Sequence, residues 1–262
     1  MSEEKDFIDE FCELILEREP NYDIPEVFVK AAGYWIISST VGQFFRCPLL
    51  PKNDQRPNLW FLLSSIPGRM RRSTIIAFAK AAFRTAMLEY YNYKKISPRT
   101  GTADEEVLQQ YLKGREIQLN NLKEEDLVLW RKSLVESHFI EEGTPEGIID
   151  YINATDLGMY CIVSPEFGGV LTRMKQRDYQ SGVQNLLSKL YCGEGGTIAL
   201  SRRGGKKGIR VLPEGLYVTM LAGMQEPKLY LEETDFRQGL MRRIILVYKP
   251  KADRWRPPLQ PE

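Results

Sequence analysis

The stretch that most constrains the fold of this chain spans residues 57–82, which read PNLWFLLSSIPGRMRRSTIIAFAKAA. Its first part, residues 58–65, is rich in aromatic and branched apolar residues and predicts a buried strand. A Pro-Gly turn with three arginines follows over residues 66–72, and Ser73 opens an alanine-rich segment that predicts a helix reaching about Tyr93. The chain should therefore place a buried strand, a basic turn and a helix in direct succession.

This succession is the layout of a phosphate-binding loop. In such a loop, backbone amides and a helix N-terminus point at an anion, a basic side chain reaches the outer phosphates, and a hydroxyl holds magnesium. The standard pattern is G-x-x-x-x-G-K-[ST]. When the chain is aligned on Ser73, the lysine position holds Arg72. The glycine positions hold Arg71 and Ile66, and Gly68 lies inside the loop. A strand, turn and helix with a basic surface turn is the alternative.

Composition sets limits on the class of protein. The 262 residues, 43% hydrophobic and 27% charged, are ordinary for a soluble globular chain with one large domain, alone or with an appendage. A net charge of +1 gives no global electrostatic case for a nucleic-acid partner, so any such case must be local. The only histidine, His138, excludes His-based triads and multi-His metal sites.

The N-terminus and the cysteines favour a cytoplasmic protein. The first residues are acidic, unlike a signal peptide, and no apolar run reaches transmembrane length. The four cysteines contain no CxxC pair, so we expect reduced, mostly buried thiols rather than a zinc site.

Strand and helix patterns alternate along the chain and predict an α/β sandwich with a mainly parallel sheet. Residues 1–56 are expected to form a helical N-terminal extension, residues 57–250 the core, and residues 251–262 an extended proline-rich tail. Further helices are predicted over 3–19, 25–45, 104–113, 123–136, 145–153, 178–191 and 236–241. Thr144 is the expected N-cap of the helix over 145–153, with Pro145 at its first position. Further strands are predicted within 138–143 and over 158–163, 197–201, 209–212, 216–222 and 243–248. The last of these is rich in Ile, Leu and Val and is expected to be buried.

The strand over residues 158–163 ends in Ser-Pro-Glu-Phe-Gly-Gly. A nucleotide-hydrolysing sheet needs carboxylates at such an end, one for the water shell of the metal and one to polarise the attacking water. Glu166 fits the water-activating position, whereas the usual metal-side aspartate position holds Ser164 or Pro165. A terminal acid on an ordinary turn is the alternative.

The segments 197–201 and 209–212 predict the arms of a hairpin joined by the loop RRGGKKG. Its glycines permit positive φ and a close approach to another backbone. The loop is predicted to contact nucleic-acid phosphates, with a solvated turn as the alternative. Its four cations are Arg202, Arg203, Lys206 and Lys207.

Taken in this order, the segments resemble the P-loop ATPase domain of phage-, virus- and plasmid-encoded primase–helicase proteins, which belong with the AAA+ and RecA-like replicative helicases. The similarity covers roughly residues 25–248. It is carried by the segments PNLWFLLSSIPGRMRRST, EEGTPEGIIDYI, MYCIVSPEFGGVL, NLLSKLYCGE and DFRQGLMRRIILV. Arg-Arg-Ser ending at Ser73 looks like the Arg-Lys-Ser/Thr of that family, and Pro-Glu-Phe-Gly-Gly around Glu166 looks like its Asp-Glu-Phe-Gly-Gly without the aspartate.

The resemblance implies a P-loop NTPase three-layer sandwich that binds ATP and Mg²⁺, acts on DNA and assembles with copies of itself into a ring such as a hexamer. It implies Glu166 as the water-activating residue, Gln225 as a sensor, and Arg243, with Arg242 as the fallback, as an arginine finger. An ion pair of this arginine with Glu232 or Asp235 is the alternative. The residues implied for the nucleotide are Gly68, Arg71, Arg72, Ser73 and Thr74, with Ser73 also on the metal.

Two functions are consistent with this interpretation of the sequence. The first is the ATP-hydrolysing, helicase-like motor core of a mobile-element DNA replication protein; retained Ser73, Glu166 and the arginine pair favour it. The second is a non-hydrolysing P-loop protein that serves as a DNA-binding or structural assembly subunit; the missing lysine and aspartate favour it. A small-molecule kinase of similar fold would need an acceptor site that the sequence does not show.

Overall fold

The computed structural model describes residues 6–18, 24–45, 47–50, 53–66, 70–97, 123–140, 144–174, 180–201, 207–231 and 239–250. The strands are β1 (Cys47–Leu50), β2 (Asn53–Gln55), β3 (Trp60–Ser65), β4 (Phe139–Ile140), β5 (Met159–Ser164), β6 (Gly196–Ser201), β7 (Lys207–Leu212), β8 (Tyr217–Met224) and β9 (Ile245–Lys249). The helices are α1 (Phe7–Arg18), α2 (Glu26–Val41), α3 (Arg72–Tyr93), α4 (Glu124–Glu136), α5 (Pro145–Thr155), α6 (Gly168–Met174) and α7 (Gln180–Cys192), with short 3₁₀ helices at Gly42–Phe44, Pro227–Leu229 and Met241–Arg243.

A five-stranded parallel sheet lies at the centre of the molecule, in the spatial order β4-β5-β8-β3-β9. Two antiparallel pairs, β1 with β2 and β6 with β7, stand outside it. The predicted α/β fold with a mainly parallel sheet is therefore confirmed at this level, since helices cover both faces of the sheet.

The central strand β3 explains how the two faces are filled. All six of its residues are buried, as expected for a strand that parallel neighbours flank on both sides. Successive side chains of a strand point to opposite faces. Phe61 and Leu63 accordingly join the core formed with α1, α2, α3 and α4, whereas Trp60 and Leu62 join the core formed with α5, α6, α7 and the β6–β7 pair.

The N-terminal helix α2 lies directly on the sheet. The Ser39 hydroxyl lies 2.8 Å from that of Thr219 in β8, and Tyr217 donates a 2.9 Å hydrogen bond to the carbonyl of Ser38. The helix predicted over residues 25–45 is confirmed as α2 and the 3₁₀ turn that follows it. The domain boundary predicted after residue 56 stays a prediction, but α2 contributes to the same core as β3.

Most predicted elements occur close to their predicted bounds. The structure confirms the predicted cap of α5, because the Thr144 hydroxyl accepts a 3.1 Å hydrogen bond from the Gly147 amide. The hairpin of β6 and β7 is also confirmed. Sequence patterns missed α6. They also missed the β1–β2 pair, because residues 46–57 were interpreted only as a proline-rich connection. The helix predicted over 104–113 lies outside the described residues.

Two predictions are corrected. The strand before the C-terminal tail was predicted to be buried, but β9 lies at an edge of the sheet, and Ile245 and Tyr248 are 45% and 40% exposed. The helix predicted over 236–241 has only its end described, and there a turn leads into the 3₁₀ helix Met241–Arg243. The expectation of mostly buried thiols agrees with the described cysteine side chains, since Cys12 and Cys161 are buried and Cys192 is exposed.

The single histidine is structural. His138 is almost fully buried, and its Nδ1 must carry the proton because it lies 2.8 Å from the carbonyl oxygen of Met159, which can only accept. Its Nε2 then accepts a hydrogen bond from the Tyr91 hydroxyl. Burial lowers the pKa of His138 to about 4, so the ring is neutral at pH 7.

We expect His138 to make folding pH-dependent. Its folded pKa of about 4 lies below the unfolded value of 6.5, so the unfolded chain takes up a proton first as the pH falls. Stability should therefore drop between pH 6.5 and pH 4, by about 3 kcal/mol from this group. Urea denaturation of the wild type and of His138→Gln across this range measures the effect. The same pH dependence in both proteins would contradict the assignment.

Candidate functional site

The carboxyl ends of the parallel strands share one edge of the sheet, and this edge holds the predicted site. In open α/β sheets, ligands bind outside this edge where the strand order reverses. That position is at β3. The strand that follows β3 in the chain, β4, lies on one side of it, and the last strand, β9, lies on the other. Helix α3 begins here, and the turn after β5 and the residue after β8 lie at the same edge.

Helix α3 presents an N-terminus suited to an anion. It is 22 residues long and has no acidic residue in its first turn. The first amides of a helix have no intrahelical acceptor, and the helix dipole favours negative charge there. Arg71 and Ser73 are exposed in this turn and Thr74 is half-buried. The turn is therefore open to a ligand, with the predicted hydroxyl at its surface.

Arg72, the first residue of α3, is unusual because its charged side chain is only 9% exposed. Its Nη2 lies 3.9 Å from Oε1 of Glu166, which is too long for a hydrogen bond. Its Nη1 is buried and has no hydrogen-bond partner within the described chain. Burial lowers the pKa of the Arg72 guanidinium, and the nearby Glu166 carboxylate opposes that shift. The guanidinium is thus a desolvated cation with unused donors.

A second unused polar atom lies at the same edge. The Ser65 hydroxyl, at the carboxyl end of β3, is buried and also lacks a partner among the residues that the structure describes. Leaving a buried donor unpaired costs about 1–3 kcal/mol. A ligand with several acceptor oxygens would satisfy such atoms, and a phosphate group fits this requirement.

A metal ion fits only together with such a ligand. Across the described ranges there is no group of three His, Cys, Asp or Glu residues that could hold a metal by itself. Mg²⁺ is usually bound through one or two protein oxygens plus the phosphates of a substrate. The exposed Ser73 hydroxyl and Glu166 could supply those oxygens once a polyphosphate is present.

The turn that carries Glu166 is tied tightly to β8. The Phe167 amide donates a 2.6 Å hydrogen bond to the carbonyl of Gly223. A Cβ atom on Gly223 would lie only 2.6 Å from the carbonyl oxygen of Pro165, so no side chain fits there. On the other side of the turn, a Cβ atom on Gly168 would meet the ring of Tyr230 at 2.7 Å. The backbone at Glu166 is therefore fixed, although its side chain is 65% exposed.

Gln225 lies at the same edge as the start of α3 and the turn that carries Glu166. It follows β8, which is paired with β3 on one side and with β5 on the other. Its carbonyl oxygen accepts a 2.6 Å hydrogen bond from the Ser64 hydroxyl. The residue Gln225, the first residue of α3 and the Glu166 turn thus lie at the same edge of the sheet.

Arg243 comes just before β9 and therefore lies near the amino ends of the parallel strands. The candidate site lies at the carboxyl ends, on the opposite side of the sheet. Its guanidinium is 5.8 Å from the centre of the Tyr191 ring, and its Nη2 lies 3.6 Å from Sγ of Cys192. Within one chain the structure therefore does not bring Arg243 to Arg72. The acids predicted as its alternative partners, Glu232 and Asp235, lie outside the described residues.

The β6–β7 hairpin packs along α5. Arg210 forms an ion pair with Asp150 at 2.7 Å, and the side-chain amide of Asn153 donates to the carbonyl of Val211. These two contacts follow α5 and β7 in the same direction, so the start of β7 lies towards the N-terminus of α5. Gly68, Arg202, Arg203 and Lys206 lie outside the described residues, and Lys207 is described only as the first residue of β7.

Comparison with protein-family models, curated proteins and solved structures finds no match to this chain. No helix in the described ranges is both long and apolar enough to cross a membrane.

Sequence reasoning missed Ser65, Gly223 and Tyr230 as parts of this edge. Two weak signals were present: the strand ends in Ser-Ser, and a glycine inside a strand often marks a close backbone approach. Tyr230 gives no such signal, because its position depends on how the chain turns after β8.

We expect Gly223→Ala to destabilise the turn at Glu166. The added Cβ would meet backbone at 2.6 Å, and backbone can give way only by moving the turn or β8. A loss of about 1–3 kcal/mol of unfolding free energy should follow, as for other overpacked sites. Gly169→Ala is the matched control, since nothing lies within 4 Å of a Cβ there. Urea denaturation that ranks the two variants equally would contradict the contact.

Proposed function

We propose that this chain is the ATPase core of a mobile-element DNA replication protein, a helicase-like motor that works as a homo-oligomer. The observation that carries the proposal is the Arg72 guanidinium, which is buried at the start of a 22-residue helix directly after the central strand. Its Nη1 lacks an acceptor within the described residues. The phosphates of ATP would supply acceptors, and guanidinium groups bind phosphate in a bidentate way.

The strand order supports the same class. One strand, β8, lies between β3 and β5. The turn that precedes α3 follows β3, and the turn that carries Glu166 follows β5. AAA+ and RecA-like ATPases share this separation of the two motifs by an inserted strand. The fold adds to the resemblance of the sequence, although a fold alone does not define an activity.

Each residue at the edge has a role in this proposal. Arg72 and the first amides of α3 would hold the phosphates, and the Ser73 hydroxyl would face the metal. When bound, Mg²⁺ would neutralise charge on the β- and γ-phosphates. Glu166 would accept a proton from the water that attacks the γ-phosphorus, while the bond to the leaving ADP oxygen breaks.

Gln225, which follows β8 at the same edge of the sheet, would orient the attacking water. The two remaining roles involve other molecules. Arg243 could act only on a nucleotide bound by a neighbouring copy, since it lies on the opposite side of its own sheet. The basic hairpin loop of residues 202–207 would contact the phosphates of DNA without base preference.

A non-hydrolysing DNA-binding or assembly subunit is the second candidate. One observation favours it: Pro165 occupies the position beside Glu166 where an aspartate would help to bind the metal, and the only described ion-pair partner of Glu166 is Arg72. Such a protein would still bind nucleotide at Arg72 but would not turn it over.

Nucleotide binding is tested by thermal denaturation with ATP and Mg²⁺. A ligand at a hundredfold over its dissociation constant adds about 2.7 kcal/mol of stability. Arg72→Ala should abolish this gain, because it removes the buried donors, and Arg72→Lys should retain or improve it. Arg84→Ala is the control, since it removes a cation from the same helix that pairs with Glu136. Equal stabilisation of wild type and Arg72→Ala would refute the assignment.

Turnover separates the two candidates. Glu166→Gln keeps the shape of the side chain but removes the base, so nucleotide binding should persist while phosphate release falls by about 10²–10⁴-fold. Glu136→Gln is the control, because it makes the same charge change on the surface of α4. A wild-type protein that binds ATP but releases no phosphate, with or without DNA, would decide for the non-hydrolysing subunit.

A further inference from the structure

We propose that bound phosphate and the Glu166 carboxylate compete for the Arg72 guanidinium, so that nucleotide binding releases Glu166. This inference rests on the proposed nucleotide binding at Arg72. It describes how the occupied site would control its own water-activating residue.

The first support is the looseness of the ion pair. Arg72 and Glu166 approach to 3.9 Å. Three other arginine–carboxylate pairs of the protein approach to 2.6–2.7 Å, which is within hydrogen-bond distance: Arg84 with Glu136, Arg131 with Glu124, and Arg210 with Asp150. The Arg72 pair therefore lacks the hydrogen bond that makes such contacts strong. A ligand oxygen at hydrogen-bond distance would displace the carboxylate readily.

The second support is the difference in freedom between the partners. The Arg72 side chain is 9% exposed and starts a helix, and its amide is bonded to the Met70 carbonyl at 2.8 Å. The Glu166 side chain is 65% exposed on a turn whose backbone is fixed. When an anion arrives, the guanidinium stays in place and the carboxylate moves.

The geometry of the guanidinium makes the exchange exclusive. A phosphate bound in the bidentate way uses two parallel N–H donors of the planar group. Nη1 has no partner among the described residues, and Nη2 faces Glu166. A phosphate that takes both nitrogens removes the contact of Glu166, whose full charge can then act on water.

The consequence is that nucleotide binding at Arg72 would control whether Glu166 can activate water. In the free protein the ion pair directs the Glu166 carboxylate towards Arg72. In the bound protein the phosphate takes over the cation, and the carboxylate is freed at the same edge of the sheet. A lysine at position 72 would offer a single point charge without the fork, so the exchange depends on arginine.

The test compares two substitutions of the same carboxylate. Glu166→Gln removes its charge, whereas Glu166→Asp keeps the charge but shortens the side chain by one methylene, so that it no longer reaches Arg72. If the contact competes with phosphate, both variants should bind ADP–Mg²⁺ and ATP–Mg²⁺ about three- to thirtyfold more tightly than the wild type. Isothermal titration calorimetry measures the dissociation constants without any need for turnover.

The alternative outcomes are distinct. If Glu166 only repels phosphate through its charge, Gln tightens binding but Asp does not, and the proposed exchange is wrong. Unchanged affinity in both variants also overturns it while leaving nucleotide binding intact. Asp150→Asn, which breaks an ion pair elsewhere, should leave affinity unchanged. A wild-type protein that binds no nucleotide overturns the proposed function and this inference with it.

Discussion

The burial of β3 on both faces and along both edges is the constraint on which the rest of the structure depends. Its six residues contain no position that could face water, so two separate layers of helices are needed to cover them. The burial extends to the carboxyl end of the strand, where Ser64 and Ser65 are also shielded from water. The turn and α3 must then begin at the edge where ligands can enter.

Sequence patterns predicted this arrangement where local chemistry decides it. The run over 58–65, the capping of α5 by Thr144 and the hairpin arms are local features, and each occurs as predicted. The order of the strands is not local, since β3 pairs with strands more than 150 residues away. For that reason the exposure of β9 was predicted wrongly: an Ile/Leu/Val-rich strand looks buried unless one knows that it forms an edge.

In the candidate site, too, the features that depend on packing could not be predicted from local sequence. Arg72 and Glu166 each follow a strand of the parallel sheet, β3 and β5, and β8 lies between these two strands. The burial of Arg72 could not be read from the sequence, since it depends on the packing of α3 against the sheet. Taking a guanidinium out of water costs several kcal/mol unless anions surround it. A protein that keeps such a group with one loose partner at a ligand-binding edge gains most when an anion binds.

The pairing of β3 also has a consequence for how the chain is made. Its only strand neighbours, β8 and β9, are the last two strands of the sheet. At a synthesis rate of about 5–20 residues per second, some 10–40 s separate the emergence of β3 from that of β9. During this interval a strand that is fully buried in the folded protein is on the ribosome without its partners. Newly made chains therefore pass through a period in which aggregation competes with folding, and chaperones that hold apolar segments would act first on residues 58–65.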